Sequence, residues 1–281
     1  MAPTDPPAPR TSIPLPGDGL DAARMPGHWL LARLGKRVLR PGGVELTRWM
    51  LDALDVDPRD RVVELAAGLG TTARLTLTRH PAAYTAVDRD PAAVAALSAL
   101  AAPGPTVVRA VRSDAADTGL PDGGATVVYG EAMLTMQPET AKRRVVREAR
   151  RLLDDSTGRY AIHELCLLPD GLDPALADRI TADLGDSIHV GARPLTPTGW
   201  GGLLAGEGFT VASRATAPMA LLEPRRLIDD EGLLPALRIA GRALRDRAAL
   251  RRVLHMRRVF HRHRARLGAI SLIAVPTPVD S

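Results

Sequence analysis

A short run of residues with unusual chemistry begins at Arg61. Val62, Val63 and Leu65 supply a buried strand, Glu64 places a carboxylate near its end, and Gly68 and Gly70 follow at once. Glycines so placed allow backbone angles and close ligand approach that a side chain would forbid. From Thr71 to His80 the pattern turns helical, so the stretch reads as strand, turn and helix. Further carboxylates recur downstream, Asp88 after Thr85-Ala-Val and Asp114 after Arg112-Ser. Acid and base candidates stand beyond the next two strands. Glu131 lies two residues past Tyr129, and His163 and Glu164 are neighbours whose side chains must point to opposite sheet faces. His163 reads either as a base or acceptor contact, or as a buried histidine with its partners satisfied. His189 and Arg193 share a glycine-containing loop that could bind a carboxylate or phosphate, or cap a helix.

Two cofactors compete for the glycine turn. Gly68-Leu-Gly-Thr-Thr-Ala73 fits the dinucleotide fingerprint with alanine in third place, and Asp88 follows at the distance of a ribose contact. Glu64 argues the other way, because a carboxylate at the strand end opposes a pyrophosphate and suits an ammonium group. S-adenosylmethionine carries that ammonium, a sulfonium, no phosphate, and the same ribose and adenine.

Here the sequence resembles the class I S-adenosylmethionine-dependent methyltransferases of the small-molecule type. The resemblance rests on Glu64-Leu-Ala-Ala-Gly-Leu-Gly70, Thr85-Ala-Val-Asp88 and Arg112-Ser-Asp-Ala115, in that order, and covers residues 60 to 165. Ala66 departs from the first of three alternate glycines. The resemblance implies that Glu64 faces the methionine ammonium, Gly68 and Gly70 its backbone path, and Asp88 the ribose hydroxyls. Asp114 would meet the adenine amine with Ala115 beside it, and Arg89 and Gly130 would complete the cofactor set. Glu131 and His163 become the catalytic candidates flanking the acceptor. Tyr129, Met133, His189 and Arg193 become substrate candidates, with Met133 and Met136 also readable as packing residues, and no metal is implied. The alternative activities are an NAD-dependent oxidoreductase and an RNA methyltransferase.

Those residues need a scaffold. Strands at Tyr84–Asp88, Thr106–Val111, Ala125–Tyr129 and Tyr160–Leu165 alternate with helices at Pro91–Ala101 and Glu139–Leu153. Such alternation predicts a doubly wound α/β sheet with ligands beyond the strand ends. The expected fold is Rossmann-like, with seven mostly parallel strands, an antiparallel last strand, N-terminal helices and a helical insertion before that strand. Residues 1–24 read as a disordered Pro-rich tail and 25–57 as N-terminal helices forming a lid. The core spans 58–217 and 268–277, and 218–267 is the insertion. Trp29, Leu30, Leu34, Val38 and Leu39 form a first apolar stripe, and His28, Trp29 and Lys36 could help close the site. Leu233, Leu237, Ala240 and Leu244 predict an insertion helix packed on an apolar surface.

Composition narrows the partners. Aromatics are 3% of 281 residues, which weakens base stacking as a binding mode. The net charge is only +5, although Pro224 to Leu267 holds thirteen arginines against four acids. A small-molecule substrate therefore fits better than nucleic acid, and a homodimer is possible. Cys166 is the sole cysteine. With no apolar run of ~20 residues, neither a membrane partner nor a signal peptide is expected, and the expected location is the cytoplasm.

Overall fold

The computed structural model describes residues 21–22, 24–37, 40–101 and 104–278. Val38, Leu39, residue 23 and the first twenty residues of the expected tail lie outside them. Seven strands form one sheet in the order β3-β2-β1-β4-β5-β7-β6. They are β1 (Arg61–Leu65), β2 (Ala83–Asp88), β3 (Val107–Arg112), β4 (Val127–Glu131), β5 (Arg159–Leu167), β6 (Phe209–Pro218) and β7 (Leu267–Pro276). β1 to β5 are parallel, and β7 lies antiparallel between β5 and β6. The strand order reverses between β1 and β4, which opens a crevice at their C-terminal ends.

Ten α-helices surround this sheet among the described residues. They are α1 (Gly27–Leu34), α2 (Gly43–Leu54), α3 (Thr71–Leu77), α4 (Pro91–Ser98), α5 (Glu139–Leu152), α6 (Pro174–Ile188), α7 (Pro197–Ala205), α8 (Pro224–Glu231), α9 (Leu233–Arg245) and α10 (Arg247–Arg262). Local chemistry sets many of their ends. Asp90, Asp173, Thr196 and Asp246 cap α4, α6, α7 and α10 by accepting from backbone N–H groups of the first turn. Gly35, at φ 106°, ends α1 in a left-handed conformation.

Strand alternation divides the sheet residues between two cores. Val63, Val87, Val128 and Ile162 pack with Val146 of α5 and Trp200 of α7. Val62, Tyr84, Tyr129 and Ala161 pack on the opposite face with Met50 and Leu54 of α2 and Leu77 of α3. A third core joins Leu30 of α1, Leu184 of α6, Ile239 of α9, and Met256 and Phe260 of α10 over Leu165 and Leu167 of β5. The N-terminal helices and the insertion thus form one cap.

Several expected boundaries move. β4 runs on to Glu131, which ends that strand, and β5 to Leu167, two residues past the expected Tyr160–Leu165 that already held His163 and Glu164. The extension of β5 follows from its long antiparallel pairing with β7, from Tyr160↔Ala274 to Leu167↔Leu267. α1 stops at Leu34, and α3 at Leu77 rather than His80. The insertion stripe is also corrected. Ala236, Ile239 and Ala243 are the buried residues of α9, whereas Leu233, Leu237 and Leu244 are 58%, 60% and 68% exposed.

Met50 is completely buried where α2 packs on the sheet. Met50→Ala is expected to lower unfolding free energy by about 2–5 kcal/mol in chemical denaturation. A loss within error of zero would mean that α2 does not pack there.

Candidate active site

The C-terminal ends of β1, β2 and β4 open on a cavity of ≈540 Å³. Its sheet side is lined by Glu64, Gly68, Asp88, Arg89, Asp114, Ala115 and Glu131. The cap side is largely apolar, with Trp29, Leu31, Leu184, Ile188, Met219, Leu221, Met256 and Phe260, and carries His28 and Arg37 among them. One space therefore meets carboxyl groups on its floor and a mostly hydrocarbon wall on the other side.

The glycine turn owes its form to backbone demands and to Asp88. Gly68 and Gly70 have φ 56° and 71°, and a Cβ on Gly68 would meet nothing closer than the Ala66 carbonyl at 4.0 Å. The Gly68 N–H donates to Asp88 Oδ2 at 2.8 Å, while Asp88 Oδ1 accepts from the Asp90 N–H at 2.9 Å. Each Asp88 oxygen retains a further lone pair for a ligand hydroxyl. Asp114 is exposed beside the cavity and accepts from the Ala116 N–H at 2.8 Å.

Glu64 sits on the α2 face of the sheet, inside the core. Tyr84 and Tyr129 both donate their hydroxyls to its Oε2, and Tyr129 in turn is within hydrogen-bond distance of the Thr76 hydroxyl. Burial pushes the Glu64 carboxyl up to about 8, against the opposing pull of the two tyrosine hydroxyls. A cation entering the cavity would favour its ionised form.

Glu131 has the opposite character. Its Oε1 accepts from the Thr47 hydroxyl and faces His163 Nδ1 at 2.6 Å, while its Oε2 accepts from the Thr72 hydroxyl and pairs with Arg40 Nη1 at 3.4 Å. Arg40 Nη1 also donates to the Thr72 hydroxyl at 2.7 Å. Burial would raise the Glu131 pKa, but Arg40, His163 and Thr47 outweigh it and hold the carboxyl at about 2. Its anionic lone pairs are already engaged, so Glu131 serves better as an anchor than as a proton acceptor.

That geometry corrects the role expected of His163. The ring has no exposed surface and does not line the cavity. Its Nε2 lies against the Pro41 carbonyl and its Nδ1 against the Glu131 carboxylate. Both nitrogens face acceptor groups of the protein itself, so neither is directed to a substrate. His163 is a positioning residue. Its neighbour Glu164, on the other face, accepts from the N–H groups of Met133, Leu134 and Thr135 and holds the turn after β4.

Other sequence candidates separate cleanly. Arg89, Ala115, Met133 and Met136 line the cavity, as do His28 and Trp29. Burial, assisted by Arg89, lowers His28 to about 4. Tyr129 is fully buried and holds Glu64 instead of touching the cavity. Gly130 and Gly70 do not line it either. A Cβ on Gly130 would touch the Leu65 carbonyl at 3.4 Å, and one on Gly70 would crowd Leu100 at 3.0 Å. His189 and Arg193 are exposed and absent from its walls, although their neighbour Val190 lines it. Lys36 is buried against Asp230 and Glu231 of α8, at 3.5 and 3.8 Å, and joins the cap's two parts rather than the ligand space.

Sequence reasoning missed Arg40, Thr47 and Thr72 around Glu131. It also passed over α6, although Ile180, Leu184 and Ile188 recur every four residues behind the Asp173-Pro174 start signal. Met256 and Phe260 carried a comparable helical signal within the arginine-rich insertion.

Comparisons with known proteins agree with this architecture. Residues 62–156 match the family model described as a methyltransferase domain. An uncharacterized protein of Haemophilus influenzae is 33% identical over 221 residues, covering 78% of this chain and 86% of that protein. Among solved structures, MccD has a TM-score of 0.62 at 18% identity, over 83% of this chain and 96% of its own. The [4+2]-cyclase SpnF has a TM-score of 0.63 at 17% identity, covering 89% and 93% of the two chains. Geranyl diphosphate C-methyltransferase from Streptomyces coelicolor A3(2), solved with Mg2+, geranyl diphosphate and S-adenosyl-L-homocysteine, has a TM-score of 0.59 at 14% identity over 83% and 77%. These distant structures share the fold; the family match lies in the sequence itself, across the strands and turns that build the cavity floor. The chain carries a methyltransferase domain across residues 62–156 and is a methyltransferase.

Proposed function

We propose that the protein transfers the methyl group of S-adenosylmethionine to a small molecule with a largely apolar body. The observation that supports this most is the single cavity whose floor carries Glu64, Asp88 and Asp114 and whose roof is hydrocarbon from α6, α10 and the segment after β6. The donor set suits this cofactor. Glu64 can face an ammonium, Asp88 a ribose diol and Asp114 an exocyclic amine, while Gly68 leaves open space for the chain between them.

When bound, the cofactor supplies an electrophilic methyl group on its sulfonium. The chain's own part is to hold the acceptor in line with that carbon at ~3 to 3.5 Å and to exclude water. Trp29, Leu184, Met256 and Phe260 provide the dry wall. Glu131, its charge already met by Arg40, fixes the part of the wall where the acceptor would sit. His163, Thr47 and Arg40 hold it in place.

Incubation with methyl-labelled S-adenosylmethionine and a lipophilic metabolite extract, followed by mass spectrometry, tests the assignment. Label is expected in an apolar small molecule. Label only in RNA, or tight NADH binding by the unmodified protein, would overturn it.

Asp88→Ala should weaken binding of the demethylated cofactor by about 1.5–3 kcal/mol in calorimetry, because charge-assisted hydrogen bonds to the diol are lost. Unchanged affinity would remove Asp88 from the site.

The pH dependence follows from Glu64. Its folded pKa of about 8 exceeds the ordinary 4.5, so between these values the free folded protein keeps a proton that the unfolded chain has lost. The stability associated with this proton is therefore lost as pH rises through that window. A cofactor ammonium reverses the preference, so binding should release a proton and tighten with rising pH. Calorimetry in buffers of different ionisation enthalpy should detect the release in the parent and not in Glu64→Gln. Equal proton release in both would contradict the contact.

Glu131→Gln leaves Arg40 without its counter-charge and His163 Nδ1 without its carboxylate partner. A loss of about 3–5 kcal/mol in unfolding free energy is expected, with a substantial fall in turnover. Parental stability and turnover together would show that Glu131 neither anchors the cap nor assists transfer.

A further inference from the structure

The insertion carries a surface that the catalytic site does not use. Around α9, at about 100° per residue, three strips follow one another. Ala236, Ile239 and Ala243 face the protein core. Leu233, Leu237, Ala240 and Leu244 fall within roughly 60° of arc, and all four are exposed. Arg238, Arg242 and Arg245 occupy a third strip on the far side of the leucines.

Four of the seven large apolar residues most exposed among the described residues, Leu233, Leu234, Leu237 and Leu244, belong to this one helix. Leu234, 65% exposed, fills the surface between the leucine and arginine strips. Leucines left in water in such a group mark a contact surface, since single exposed apolar residues need no partner but a contiguous stripe does.

Charge identifies the occupant. Of the four acids between Pro224 and Leu267, Asp230 and Glu231 are turned inward to Lys36, and Asp246 caps α10 and pairs with Arg33. Arg238 and Arg245 have no hydrogen bond or ion pair among the described residues. A second copy docking antiparallel by the same stripe would bring two arginine strips to one side of the seam. An apolar stripe beside unpaired guanidinium groups instead fits the boundary of a lipid layer with negative headgroups, where leucines enter the acyl region and arginines reach phosphate.

We propose that α9 is a membrane-surface helix that docks the protein on anionic phospholipid. No helix of the described residues is long and apolar enough to cross a bilayer. The sequence-based expectation of no membrane partner rested on that criterion alone, and a helix lying in the interface does not need to meet it. Docking depends on the outer face of the cap and is independent of the reaction assigned to the cavity.

Cosedimentation of the full chain with vesicles provides the test. The protein is expected to bind vesicles of equal phosphatidylglycerol and phosphatidylcholine at ~0.1 M salt and to leave them at ~1 M, where charges are screened within about 3 Å. It should stay in solution with phosphatidylcholine alone. L237S combined with L244S, and separately R238Q combined with R245Q, should each weaken binding at least ~10-fold. These side chains are exposed, so melting temperature and cofactor binding should remain parental. Those two readouts also separate failed docking from failed folding or from failure of the methyltransferase assignment. Absence of binding by the parent would overturn the proposal, as would binding that ignores the leucine changes. A parental dimer that the leucine changes dissociate, without lipid binding, would assign the stripe to a second copy and likewise overturn it.

Discussion

The buried carboxylate of Glu131 is the point on which the arrangement of the site depends. It ends β4, yet its four partners come from four other places in the chain: Arg40 before α2, Thr47 on α2, Thr72 on α3 and His163 on β5. An unpaired carboxylate at 7% side-chain exposure would be costly, and so would an isolated Arg40 or His163. Each charge is tolerable only while the others are in place. The N-terminal segment, the helix after the glycine turn and the centre of the sheet are therefore held to one another. Pro41 extends the link, because its carbonyl takes the remaining His163 nitrogen.

This arrangement also explains how two environments can share one cavity. Glu64 and Glu131 stand on the same sheet face, near the ends of neighbouring strands, but burial affects them differently. Glu64 has only tyrosine hydroxyls to oppose desolvation and rises to about 8, whereas Glu131 has a guanidinium and an imidazole and falls to about 2. One carboxyl gains from a visiting cation; the other is already neutralised and fixes the wall. The cap then closes the space with hydrocarbon and is itself joined by the buried Lys36 pairs to Asp230 and Glu231.

The sheet was legible because its signals are local. Val62, Val63, the two glycines and the acids at positions 64, 88 and 114 lie close in sequence and repeat a strand-end pattern, and the family resemblance followed from them. The partners of Glu131 were not legible, since they converge from separations of 32 to 91 residues and look ordinary where they stand. His163 was misassigned for the same reason: a histidine near a strand end resembles a base until its two acceptors are seen. The leucines of α9 show a different failure. Helical periodicity showed that the stripe exists, but two apolar strips lie side by side on that helix, and spacing alone could not decide which one the protein buries.

The central claim is that one cavity holds the cofactor over its acid-lined floor and leaves the acceptor against the apolar cap. A crystal structure with S-adenosylhomocysteine tests it most directly. The account predicts the ribose at Asp88, the adenine beside Asp114 and Ala115, the amino group towards Glu64, and the sulfur facing the space bounded by Glu131, Met256 and Phe260. A nucleoside bound elsewhere, or a sulfur directed away from that space, would contradict it.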